Sequence, residues 1–247
     1  MTTSGTSAFN LSFDEIVEES FERIGGRELR TGYDLRTARR SMNLLLAEMS
    51  NRGINLWTVE QGSIPMVTGQ ATYTLPVDTV DLLDHVVRTG TGQNQIDISI
   101  TRIAEPTYST IPNKNAQGRP IQVWIQRMTG AQYPLPGPAG TDPVTGINAP
   151  KITVWPTPNA PGDQYTFVYW RLRRMQDVNG AVNTLDIPFR FLNCMVAGLA
   201  YYLSMKLPDV PGDRIMALKA DYMEQLDLAT QEDREKAPIR LVPRVMR

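Results

Sequence analysis

At 247 residues the chain can bury a full-sized core, as one fold carrying an insertion or as two smaller bodies. Its 25 lysines and arginines nearly cancel its 26 aspartates and glutamates, so no global positive field draws it to nucleic acid or anionic membrane, and self-repulsion is weak enough to suit assembly. The single cysteine, Cys194, excludes a disulfide framework within the chain and fits synthesis in a cytosol.

Residues 1–10 are polar and lack the basic start and apolar run of a secretory signal, and they read as a frayed tip. Ser12 followed by Glu15 has the spacing of a capping box, opening a helix that the Gly25-Gly26 pair stops. Phe13, Ile16, Val17, Phe21 and Ile24 share one face of it. Thr31 and Asp34 repeat the start signal more weakly, and Leu35, Ala38, Met42, Leu45, Leu46 and Met49 follow at helical spacing until Gly53. The period then changes. Runs rich in β-branched and aromatic residues predict strands near 59–67, 72–75, 85–88, 96–100, 121–127, 151–155 and 165–172, together an antiparallel β-domain. Inside it, residues 133–150 are so rich in proline and glycine that they predict a long exposed loop, a candidate contact with another component or a hairpin tip.

Helical spacing returns at 188–206, where Phe191, Leu192, Met195, Val196, Leu199, Tyr202 and Leu203 cover most of the circumference and predict a central helix. The apolar window is broken by Arg190, Asn193, Gly198 and Ser204, which suits a buried helix better than a membrane span. Pro211 opens a last helix, with Ile215, Leu218, Tyr222, Leu226 and Ala229 in one stripe. Residues 237–247, with prolines at 238 and 243, arginines at 240, 244 and 247 and no acid, predict an extended tail. The fold class is therefore α+β: an antiparallel helical bundle from both chain ends (1–57 and 188–236), an inserted antiparallel β-domain (58–187) and a tail (237–247).

Catalytic signals are weak. His85 is the only histidine, and pairing it with Cys194 would join a strand residue to a core helix residue; no cysteine-hydrolase context surrounds either. Asp78, Asp81 and Asp84 could supply a carboxylate pair for glycan cleavage, although acids in the stretch 76–84 read more simply as turn formers and caps. No phosphate-binding glycine loop or clustered His/Cys metal pattern is present, so no cofactor, metal ligand or catalytic residue is assigned. Arg171, Arg173 and Arg174 beside Trp170 form a basic run that could meet DNA phosphates, partner acids or solvent.

The stretch from Asn51 carries Gly53, Leu56, Trp57, Gly69, Tyr73, Leu75 and Pro76: a helix-ending glycine, a Leu-Trp pair, a strand, then a Gly-x-x-x-Tyr-x-Leu-Pro turn. This pattern, with helices at both ends around a β insertion, resembles the head-to-tail adaptors of short-tailed bacteriophages, of the tail-tubular or packaged-DNA-stabilisation type. In that setting Leu56, Trp57 and Tyr73 would lie at the junction of bundle and β-domain. The resemblance implies a dodecameric ring in the virion, made in the host cytoplasm and without membrane contact. Its partners would be the portal protein, the tail nozzle and a tail fibre or spike, with packaged DNA passing through. It further implies that the tail docks onto the portal, through Ile239, Arg240, Leu241, Val242, Arg244, Val245 and Arg247. Two other classes compete: a tail-associated glycan hydrolase using Asp81 or Asp84, and a nucleic-acid-binding module using Arg171, Arg173 and Arg174.

Overall fold

The structure is a computed structural model that describes residues 3–25, 32–53, 56–129, 132–135, 144–160 and 164–233. In chain order its elements are α1 (Phe13–Ile24), α2 (Gly32–Asn51), β1 (Val59–Pro65), β2 (Thr72–Thr74), β3 (Thr79–Thr89), β4 (Ile96–Ser99), β5 (Thr101–Ile103), α3 (Glu105–Ser109), β6 (Gln117–Gly118), β7 (Gln122–Gln126), β8 (Gln132–Leu135), β9 (Val144–Ile147), β10 (Lys151–Trp155), β11 (Thr157–Pro158), β12 (Tyr165–Arg173), α4 (Leu192–Ser204) and α5 (Gly212–Glu232). The class is α+β. The chain divides into two units, one drawn from residues 1–57 and 175–247, the other from 58–174.

In the first unit, α1 begins where local chemistry sets it. Ser12 Oγ accepts from the Glu15 amide at 3.4 Å while Glu15 Oε2 accepts from the Ser12 amide at 2.7 Å, satisfying two donors that a helix start leaves open. Gly25 ends it in the left-handed region at φ 98°, its N–H donating to the Phe21 and Glu22 carbonyls. The predicted core face of α1 is buried, and Ser20 Oγ donates to the carbonyls of Ile16 and Val196. The hub is α4, buried on nearly every side and packed against α1, α2 and α5. Gly198 makes this possible: a Cβ there would stand 2.8 Å from Leu45 Cδ2 and 3.0 Å from Tyr222 Cε2. On α5 the stripe Leu218, Tyr222, Leu226 and Ala229 is buried, while Ile215 is half-buried.

Residues 175–187 fall in this unit, whereas the sequence reading ended the insertion at 187. Met175, Val178 and Leu185 are buried in the helical core, and the Val178 amide donates to Asn43 Oδ1 at 2.9 Å. Three apolar residues without a period gave no sign of which core they fill.

The second unit holds two four-stranded sheets, ordered β1-β12-β3-β4 and β2-β10-β7-β5. Pairing is antiparallel except for β5 with β7 and the short pair β6 with β11, which are parallel, a departure from the purely antiparallel expectation. Its core is built on Phe167, Leu82, Val87, Val123, Ile152, Val154 and Met66. Gly62 lies opposite Tyr169 on β12, and a Cβ there would meet the Tyr169 ring at 2.4 Å, so the tyrosine folds across the glycine.

The stretch 133–150 is not loop throughout: β8 and β9 pair antiparallel, with Tyr133 opposite Gly146, and Pro134 is tolerated because both strands of a two-stranded ribbon are edges. Residues 136–143 lie outside the described residues. The stretch 76–84 is not a turn beyond its start, because β3 begins at Thr79. Its buried residues, Thr79, Leu82, His85 and Val87, are spaced three, three and two apart, since the register against β12 slips twice. Those irregularities hid the two-residue period that identifies a strand.

Candidate functional site

The turn motif has a concrete basis. Tyr73 is buried in the β unit, and its hydroxyl accepts from the Val67 amide at 3.0 Å and donates to the Gln70 carbonyl at 2.9 Å, fastening the turn in which Gly69 takes φ 80°. Burial raises its pKa, so it stays a neutral donor. Trp57 works in the helical unit: its ring lies 4.9 Å from Phe191, and Nε1 donates to the Asp186 carbonyl at 3.0 Å. Leu56 beside it is 50% exposed. Trp57 thus packs against the helical core, and Tyr73 lies in the core of the β unit.

The basic run on β12 meets acids of its own unit. Arg171 Nη1 donates to Asp78 Oδ1 at 2.6 Å and Thr79 Oγ1 at 3.0 Å, while Nη2 donates to Glu60 Oε2 at 2.8 Å. Arg173 Nε takes the other Glu60 oxygen at 2.6 Å. Glu60 lies opposite Arg171 in the ladder, so strand register places the charges face to face. Burial disfavours the Arg171 cation, but Asp78 and Glu60 outweigh it and raise its pKa; burial likewise works against the Asp78 anion, which the bond from Arg171 nonetheless holds below its ordinary range. Arg174 contributes its amide, which donates to the Asp78 carbonyl at 2.8 Å. Sequence reasoning found these arginines and missed Glu60, whose cross-strand partner is set by a pairing more than a hundred residues apart.

The catalytic candidates sit in structural settings. His85 is buried and stacked 6.0 Å from Phe167. Burial lowers its pKa and the charge of Arg102 adds to that, outweighing the charge of Asp84 and a bond to the Ile100 backbone, which raise it. Cys194 is buried in α4 with its thiol pushed up to about 12, far from a nucleophilic thiolate. It lies in the helical core and His85 in the β unit. Asp81 is bridged by Arg102 at 3.0 Å and Arg127 at 2.6 Å, and Asp84 Oδ1 accepts from the His85 amide at 2.7 Å. Among the described residues no three His, Cys, Asp or Glu side chains are grouped to hold a metal, and no helix is long and apolar enough to cross a membrane.

Two surfaces of the helical unit escaped the sequence reading. One is a groove of about 560 Å³ between α1 and the start of α4, with Leu11, Leu192 and Val196 along it and Phe9 and Phe189 exposed at 66% and 71%. Glu15, Glu18, Glu19 and Glu22, all on one face of α1 by their spacing, form its acidic wall. The other is a hollow bordered by Tyr33, Arg36, Arg39 and Arg40 of α2. Both were visible in principle as charges at helical spacing opposite the core face. The residues proposed for docking, 237–247, lie outside the described residues.

These features describe a protein built around packing and exposed contact surfaces. Comparison with curated proteins finds no match. The model of one family, SU10 adaptor protein, matches residues 12–242, which takes in both units. The chain belongs to the SU10 adaptor protein family, a family of phage head-to-tail adaptors.

Proposed function

We propose that this chain is a structural subunit of a tailed-phage virion, forming a ring that joins the portal to the tail nozzle and extends the DNA channel. The family match over residues 12–242 carries this reading. Its work is assembly. Contacts that are weak in one subunit become durable when a closed ring engages a ring-shaped partner at equivalent places, and a dodecamer would match a dodecameric portal.

In this reading the helices from both chain ends form an antiparallel bundle that packs against neighbouring subunits and the portal. The hairpin within 133–150 contacts another tail component, nozzle, fibre or spike. Residues 237–247 dock onto portal subunits, with Arg240, Arg244 and Arg247 paired to acids and Ile239, Leu241, Val242 and Val245 filling pockets. The neutralised Arg171 and Arg173 favour a role in stiffening the sheet over a role in gripping DNA.

Electron microscopy of purified virions at side-chain resolution tests the reading. Density for this chain in a ring between portal and nozzle is the expected result; its absence from that ring overturns it. A chain ending at Lys236 should fail to join DNA-filled, portal-containing heads, and attachment equal to that of the complete chain would overturn the docking assignment.

A further inference from the structure

We propose that in the unassembled subunit the segment 237–247 occupies the groove between α1 and the start of α4 of its own chain. The groove offers what such a segment needs. Its apolar side is formed by Leu11, Leu192 and Val196, and Phe9 and Phe189 stand exposed beside it. Leu192 and Val196 are buried and form its floor, so the apolar surface left in contact with water is that of Phe9 and Phe189, which favours coverage by apolar side chains. Its other side is the acidic wall of α1, which gives the groove four acids against two bases, Arg23 and Arg190.

The occupant is complementary in composition and in charge. Residues 237–247 carry Ile239, Leu241, Val242 and Val245 together with Arg240, Arg244 and Arg247, with no acid among them. Its apolar residues meet the apolar side of the groove while the guanidiniums face the carboxylates.

Geometry selects the segment of the same chain over that of another copy. The described chain reaches Asp233, whose Oδ1 is paired with Arg190, and Arg190 itself lines the groove. The chain therefore arrives at the groove. Among the described residues Asp233 Oδ2 is buried without a hydrogen-bond partner. Residues 234–247 extended reach about 46 Å at ~3.3 Å per residue. The α1 wall is about 18 Å long at ~1.5 Å per residue. Tethering at that distance makes the local concentration of the segment high, so modest affinity suffices.

This inference goes beyond the adaptor reading and needs no portal. A docked tail would keep a sticky segment covered until a better partner competes for it.

Amide hydrogen exchange on the purified full-length chain tests it. Amides of residues 237–247 should exchange at least about tenfold slower than in a free peptide of the same sequence. The protection should fall with added salt, vanish in Glu18→Lys/Glu22→Lys, and return when Arg240→Glu/Arg244→Glu is combined with that pair. Exchange at the free-peptide rate overturns the proposal, as does protection unaffected by the glutamate reversals while α1 and α4 amides remain protected. Protection that grows with protein concentration, together with sedimentation as an oligomer, also overturns it by assigning the groove to a second copy. Because no portal is present, none of these outcomes bears on the adaptor reading, which the virion density decides.

Discussion

The two units exclude water from their cores by different means. The helical unit depends on one element: α4 is apolar around most of its circumference, and three other helices pack on it, with Gly198 setting how closely two of them approach. The β unit has no such hub. Its short strands enclose a core of their own and are tied by ion pairs, Arg171 with Asp78 and Glu60, and Asp81 with Arg102 and Arg127. Stability should therefore be concentrated in the first unit and spread out in the second, where it also depends more on charge.

The largest test of that contrast is Phe191→Ala. Phe191 is fully buried against Trp57, and its truncation should cost the helical unit about 3–5 kcal/mol. Hydrogen exchange should show α4 amides losing protection while those of β12 keep it; equal loss in both would mean that the units do not melt separately. Gly198→Ala comes next, at about 1–3 kcal/mol, because the added methyl meets Leu45 and Tyr222 and α4 must shift. Thermal denaturation of that variant should show the destabilisation, and an unchanged midpoint would mean that α4 has room to spare.

Arg171→Leu should cost less, about 1–2 kcal/mol, although it strands two carboxylates. Glu60 and Asp78 side chains are 44% and 47% exposed, so both can rehydrate, which sets the cost below that of a fully buried pair. Urea denaturation at neutral pH checks the size. The bond from Arg171 lowers the Asp78 pKa below its ordinary 3.8, so its contribution is complete above that value and is lost as pH falls through the folded one. The variant should accordingly differ least from the parent in strong acid.

The smallest effect is expected at His85. Burial depresses its pKa below 6.5, so the unfolded chain binds the proton more readily. Its contribution is therefore complete above about pH 6.5 and lost as pH falls through the folded value. His85→Phe, which keeps the stacking surface toward Phe167, should flatten stability against pH over that range; an unaltered profile would place the titration elsewhere.

Much of the helical unit was legible because its signals are local. The capping box at Ser12 and Glu15, the stop at Gly25 and the apolar stripes of α1, α2 and α5 depend on neighbours within about a turn. The turn motif ending in Tyr73, Leu75 and Pro76 was legible for the same reason, the bonds of the Tyr73 hydroxyl spanning six residues or fewer. The strand β3 was read short because its bulges break the alternation of buried residues, and β8 with β9 was read as loop because proline content argues against strands in general, not against edges.

By itself the sequence determined the α+β class, the positions of the main helices, the Tyr73 turn and the family pattern around Trp57, since each rests on residue type and short spacing. Only the tertiary structure decided that Met175, Val178 and Leu185 belong to the helical core, that Glu60 neutralises Arg171 and Arg173, and that four glutamates of α1 face an apolar groove. Those facts depend on pairings between residues far apart in the chain. Such pairings are settled by which surfaces exclude water together, and no local spacing records that choice.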